Sequence, residues 1–220
     1  MRVPEILRIC QGKTTLHLGC ADMPKLLQSA DDLLHLKLAD VTDHDNLWGL
    51  DSSEEGCQIL RKMGFDKIIH GNVENIDETV LKETFDIILA GEIIEHLSDP
   101  GIFIRNLTPL MKDKTKLIVT TPNAHSFQGF LHAMVRREKV HYDHNFYFSY
   151  QTLGHLLESC GLRCIDIYYY QDTGKKGIPR FFNKAISIVT KISHAWADGL
   201  IVCAVSSNHF SQAESETRAQ

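Results

Sequence analysis

Two carboxylates and an imidazole are crowded into Gly91-Glu92-Ile93-Ile94-Glu95-His96, directly after the apolar run Phe85-Asp86-Ile87-Ile88-Leu89-Ala90. If a helical turn begins at Gly91, Glu92, Glu95 and His96 fall at i, i+3 and i+4 and share one face. That face can serve as a general acid and base beside a histidine, or as part of a divalent cation site. A later segment, His141-Tyr142-Asp143-His144-Asn145-Phe146-Tyr147-Phe148, holds more donors. Two carboxylates with two imidazoles would leave coordination positions open for a substrate hydroxyl. The same residues also fit a metal-free base at His96, or a turn with no chemistry at all.

The elements around them set where such a face would sit. Short apolar runs alternate with helical patterns, as in strands joined by crossover helices. The runs are 14–18, 46–51, 67–70, 85–90, 116–121, 164–170 and 200–206, and the helices are 22–28, 31–39, 53–63, 100–111 and 150–159. They imply a Rossmann-like α/β fold: a seven-stranded, mostly parallel sheet with helices on both faces and an antiparallel last strand. Gly64 and Gly161 follow two of the helices, where a C-terminal cap favours a residue that tolerates positive φ. In open sheets of this kind ligands bind at the carboxyl ends of the strands, where residues 91–96 would lie. Segments 127–148 and 173–196 interrupt the alternation as substrate-side insertions. Residues 1–207 read as one domain and 208–220 as a polar, disordered tail.

The chain has 220 residues, 43% of them hydrophobic, enough for one sizeable core and short for two domains. A net charge of -5 argues against broad nucleic-acid binding, which needs basic surface. The six cysteines are scattered and lack paired Cys-x-x-Cys spacing, so a structural zinc site is not expected and a reduced, cytoplasmic setting is. Neither a signal peptide nor an uninterrupted span of about 20 apolar residues is evident. The stripe Phe181, Phe182, Ala185, Ile188, Val189 and Ile192 suits packing on the sheet, and leaves a homodimer or a membrane surface open.

Thr14-Thr15-Leu16-His17-Leu18-Gly19-Cys20-Ala21-Asp22 reads as a strand, a glycine turn and a helix, the opening of a nucleotide-binding half. G-x-G-x-x-G is not met, because Ala21 and Pro24 hold the second and third glycine positions, which disfavours a dinucleotide. Asp51 ends the second strand and suits a ribose diol, with Ser52 beside it. Asn72 and Val73 follow the third strand and suit an adenine edge and face.

In this order and spacing the motifs resemble those of the class I S-adenosylmethionine-dependent methyltransferases, over roughly residues 12 to 170. The resemblance implies that Gly19, Cys20 and Ala21 line the methionine part of S-adenosyl-L-methionine, that Asp51 binds its ribose and Asn72 and Val73 its adenine, and that Gly91 lies near the sulfonium. Three residues depart from the pattern: His17 for an acid, Ala21 for a glycine and Asn72 for an aspartate. Ala21 adds a methyl to a loop that must approach the ligand closely. Asn72 can still donate through its amide.

Glu-x-x-Glu-His, with Thr121-Pro122-Asn123 and Asp143-His144 before aromatics, looks like the metal-dependent 2′-O-methyltransferases of small-RNA 3′ ends. Its first part is also similar to ubiquinone-pathway O-methyltransferases. That likeness implies Glu92, Glu95, His96 and His144 as ligands of Mg, Mn or Zn, and His96, Glu95 and His144 as the catalytic group. His141 is a substitute for His144, and Asp143 would orient an imidazole. Thr121-Pro122-Asn123 fits equally a loop that simply ends a strand. Segment 120–153 is similar to that of bacterial sugar and polysaccharide-cluster methyltransferases. O-methylation of a sugar or other small metabolite is therefore the leading expectation, ahead of metal-independent N-methylation and of a catalytically silent binding subunit.

Overall fold

The computed structural model describes residues 2–76, 83–138, 140–171, 190 and 193–207. Strands β1 (Thr15–Leu18), β2 (Leu47–Asp51), β3 (Ile68–His70), β4 (Ile87–Gly91), β5 (Lys116–Pro122), β6 (Leu162–Tyr170) and β7 (Gly199–Ser206) form one sheet in the order β3-β2-β1-β4-β5-β7-β6. The first five pair in parallel, and β7 runs antiparallel between β5 and β6. This is the Rossmann-like architecture expected from the alternating runs.

Both sheet faces are covered, which is why the central strands read as continuous apolar runs rather than alternating ones. Along β4, Ile88 and Ala90 belong to one core with Phe103, Ile104 and Leu107 of α5 (Pro100–Leu107) and Leu153 and Leu157 of α7 (Tyr150–Ser159). Ile87 and Leu89 belong to the other, with Ile6 of α1 (Arg2–Cys10), Leu38 of α3 (Leu34–Thr42) and Leu60 of α4 (Glu54–Lys62). Short α2 (Met23–Gln28) and α6 (Phe127–Met134) complete the helices. The neighbours of β1 lie on opposite sides, so the chain leaves β1 and β4 toward different flanks and opens a crevice at their carboxyl ends.

Three boundaries differ from expectation. The helix expected at 31–39 begins at Leu34, because Leu33 is extended (φ -68°, ψ 128°) and Ala30–Asp32 form a separate 3₁₀ turn. The helix expected to reach residue 111 ends at Leu107, and Pro109 lies in a following 3₁₀ turn. Segment 127–148, read as an interruption, contains α6. Gly64 (φ +97°) and Gly161 (φ +81°) do occupy the left-handed caps. Most of 173–196, the apolar stripe and the tail lie outside the described residues. No described helix is long and apolar enough to cross a membrane.

Candidate active site

On the β1 side, Gly19 sits at φ +67° and its amide donates to the Leu50 carbonyl at 2.8 Å, pinning the turn to β2. Asp51 is 9% exposed. Its two carboxylate oxygens accept from the Ala21 amide at 2.8 Å and the Ser53 amide at 2.9 Å. Each oxygen keeps further acceptor capacity, so the carboxylate is fixed in position and still able to take a diol. Cys20 and Ala21 are fully buried and offer the crevice backbone rather than side chain. The Ala21 methyl faces α4, where a Cβ on Gly56 would stand 2.5 Å from it. The crowding expected from this alanine is therefore directed into the core.

After β3, the Asn72 side-chain oxygen accepts from the Glu74 amide at 2.9 Å, capping the turn at 73–75 and leaving the amide nitrogen as donor. Glu74 in turn accepts from the Ser98 and Asp99 amides at 2.9 and 2.8 Å, which ties this turn to the start of α5. Ser52 is exposed, and its carbonyl lies 3.1 Å from the His70 ring.

On the β4 side the expected helical face does not form. Glu92 has φ +56° and turns the chain left-handed, so Glu92 and Glu95 leave Gly91 in different directions. One oxygen of Glu92 gathers Arg2 at 3.0 Å, the Tyr170 hydroxyl at 2.7 Å and the Thr120 hydroxyl at 3.2 Å. Tyr170 reaches it across Gly199, where a Cβ would come 2.1 Å from the tyrosine ring. Glu92 is thus a junction between α1, β4, β5 and β6 and stays apart from the expected ligand set. Arg2, Tyr170 and Thr120 were invisible as site residues in the sequence, being 90, 78 and 28 positions from Glu92, and no motif marks them.

Glu95, His96 and His144 do come together: each offers a ligand atom, all within 4.8 Å of one another. A second group, His141, Asp143 and His144, adjoins it. The His96 and His144 rings meet edge to face, with centroids 4.6 Å apart. His96 Nδ1 lies 3.3 Å from Asp143, and His141 also hydrogen-bonds Asp143. The device that docks the two segments is Asn145, which the sequence reading passed over. Its amide and that of Phe146 donate to the Glu95 carbonyl at 2.8 and 3.1 Å, and its side chain donates to the His96 carbonyl at 2.9 Å. Asn123 is structural, its side chain donating to the Ala195 and Ala197 carbonyls at 2.8 and 2.9 Å.

Glu95 is 1% exposed, and neither carboxylate oxygen makes a hydrogen bond of ordinary geometry among the described residues, although the Thr121 hydroxyl and the backbone at Glu95 stand close enough to favour its charged form. Burial, and then the nearby charge of Glu92, push its carboxyl up to about 8. Burial also lowers His144, whose Nδ1 is likewise buried and unpartnered among the described residues.

Fold and site together define a Rossmann-like methyltransferase domain. A family profile described as a methyltransferase domain matches residues 11–167, and the chain belongs to that family. A ubiquinone biosynthesis O-methyltransferase of Coxiella burnetii is 30% identical over 129 residues, covering 54% of this chain and 55% of the relative. The chain thus spans about half the length of the curated relatives it matches. Among solved structures, a Haloferax volcanii methyltransferase in complex with a methyltransferase activator superposes with a TM-score of 0.61 at 15% identity, over 92% of this chain and 88% of the other. A small RNA methyltransferase gives 0.62 at 17% identity, over 93% of this chain and 25% of the other. At these identities the likeness is one of fold.

Proposed function

We propose that the chain is an S-adenosylmethionine-dependent O-methyltransferase that acts on a hydroxyl of a sugar or other small metabolite, with a divalent cation held by Glu95, His96 and His144. The observation that carries the acceptor side is the buried Glu95 carboxylate, without a hydrogen bond of ordinary geometry among the described residues, beside two imidazoles. A carboxylate buried without partners is costly unless it is protonated or faces a cation.

The residues present fit the methyl donor. Gly19 provides a turn that a side chain would obstruct, since a Cβ there would stand 2.9 Å from Ile93. Asp51, clamped by two amides, is positioned for a ribose diol, and the Asn72 side-chain amide, whose oxygen caps the turn at 73–75, has its NH2 group as the donor for an adenine edge. Bound S-adenosylmethionine supplies an electrophilic methyl group, so the protein's task is to hold a nucleophile in line with it and away from water. On the acceptor side an alkyl hydroxyl must lose a proton to become a good nucleophile. A divalent cation on the three ligands would lower the hydroxyl's pKa there. Oxygen as the accepting atom is supported by the curated relatives, which are named as O-methyltransferases.

A second reading has its own support. His96 faces Asp143 at 3.3 Å, an imidazole and carboxylate pair that can act as a base without metal. The two readings separate in a chelator experiment, measuring S-adenosylhomocysteine release with a panel of hydroxylated metabolites. Under the metal reading, turnover falls at least about tenfold in excess EDTA and returns with Mg, Mn or Zn. Full turnover in EDTA would assign the proton to His96.

A further inference from the structure

A cavity of about 970 Å³ follows the end of β5 and is lined mainly by α6, the residues just after it and Trp196. Ala124, His125 and Ser126, just past the end of β5, line it together with Tyr147, three residues beyond His144. The two bonds from Asn123 fix the carbonyls flanking Trp196, one of the lining residues. Phe127 and Trp196 stack with centroids 5.5 Å apart and planes at 12°, forming an aromatic stack that lines the cavity. Phe130 extends it and is 58% exposed. At this size a cavity fits a whole small-molecule ligand.

Among the described residues, Arg136 and Arg137 line the same cavity together with the carboxylate of Glu138. Arg136 has φ +56°, a left-handed position where glycine would be easier. The fold therefore accepts some strain to carry an arginine at this point.

Resting on the methyltransferase reading, we infer that this cavity takes the methyl acceptor, and that the acceptor is an anion with a flat ring. The ring packs against the stacked Phe127 and Trp196 pair, and a carboxylate or phosphate pairs with Arg136 and Arg137. This narrows the small-metabolite acceptor of the proposed function to an anionic aromatic and sets the sugar alternative aside, since neutral sugars and uncharged phenols lack that second anchor.

The test is displacement of 8-anilinonaphthalene-1-sulfonate from the full chain by 1-naphthyl phosphate, 1-naphthoate and 1-naphthol, followed by fluorescence. The anions are expected to displace the probe at concentrations about tenfold below the neutral naphthol, the size of one charged hydrogen bond. That preference should vanish in Arg137→Gln and in Arg136→Gly, while Arg136→Gly keeps or raises the melting temperature because its strain is relieved. Phe127→Ala should weaken all three ligands together. Equal displacement by naphthol and the anions in the wild type, or a preference that survives both arginine changes, would overturn the inference. Calorimetry with S-adenosylmethionine on the same wild-type sample separates the two readings. Absence of heat beside an intact anion preference would remove methyl transfer and leave the cavity as an anion-binding site.

Discussion

Glu95 concentrates the chemistry of the site in one side chain. Its burial means that, in the metal-free protein, the folded state holds the proton more tightly than the unfolded chain does. Because the folded pKa of about 8 lies above the ordinary 4.5, the associated stability is complete below pH 4.5 and is lost as pH rises toward 8. Glu95→Gln should therefore stabilise the metal-free protein relative to wild type by a margin that grows through this window, of order 1 kcal/mol per pH unit, in urea unfolding between pH 5 and 8. The same change should abolish any rise in melting temperature on adding a divalent cation. Glu92, three residues earlier, serves a different purpose with the same chemistry, because three donors converge on one of its oxygens. Nothing in residue type separates these two glutamates. What separates them is the sign of one backbone angle at Glu92, which periodic spacing does not encode.

Among the elements, those defined by apolar runs were legible and those defined by long-range polar contacts were not. Strands β1 to β7 were found within about two residues because both sheet faces are buried, which leaves an uninterrupted apolar record in the sequence. The acids and glycines that end those strands were legible for the same reason, being fixed in position by the strand preceding them. The segment 141–148 carried readable donors, but its docking rests on Asn145, whose partners Glu95 and His96 are about 50 residues away and leave no local pattern. Asn145→Ala removes two side-chain hydrogen bonds at this joint. It is expected to cost about 1 to 2 kcal/mol of stability and to weaken cation binding at least about tenfold, by calorimetry, while leaving S-adenosylmethionine affinity unchanged. Cation affinity equal to wild type would show that the segment docks without it.

At the scale of the whole molecule, the proposed function divides the strand ends in two: a donor side after β1, β2 and β3, and an acceptor side after β4 and β5. The sheet also stores a pH response beneath the site. His17 of β1 and His35 of α3 are buried with their Nδ1 atoms 3.2 Å apart. Burial lowers both, His35 to about 4, with His44 adding to the shift at His35 and His35 to that at His17. Since these folded values lie below the ordinary 6.5, their stability is complete above pH 6.5 and is lost as pH falls toward 4. His35→Gln should flatten that acid loss relative to wild type in urea unfolding, and a difference independent of pH would refute the pair's role. This imidazole pair occupies the position where the resemblance led to an acid at 17, and its partner on α3 could not be read from sequence. The division of labour across β4 is tested most directly by calorimetry of S-adenosylmethionine binding to the wild type, Asp51→Ala and Glu95→Gln. Loss of two hydrogen bonds to the ribose should raise the Kd of Asp51→Ala by about ten- to a hundredfold, with Glu95→Gln within about twofold of wild type. Equal losses in both variants, or no binding to the wild type at millimolar cofactor, would contradict the account.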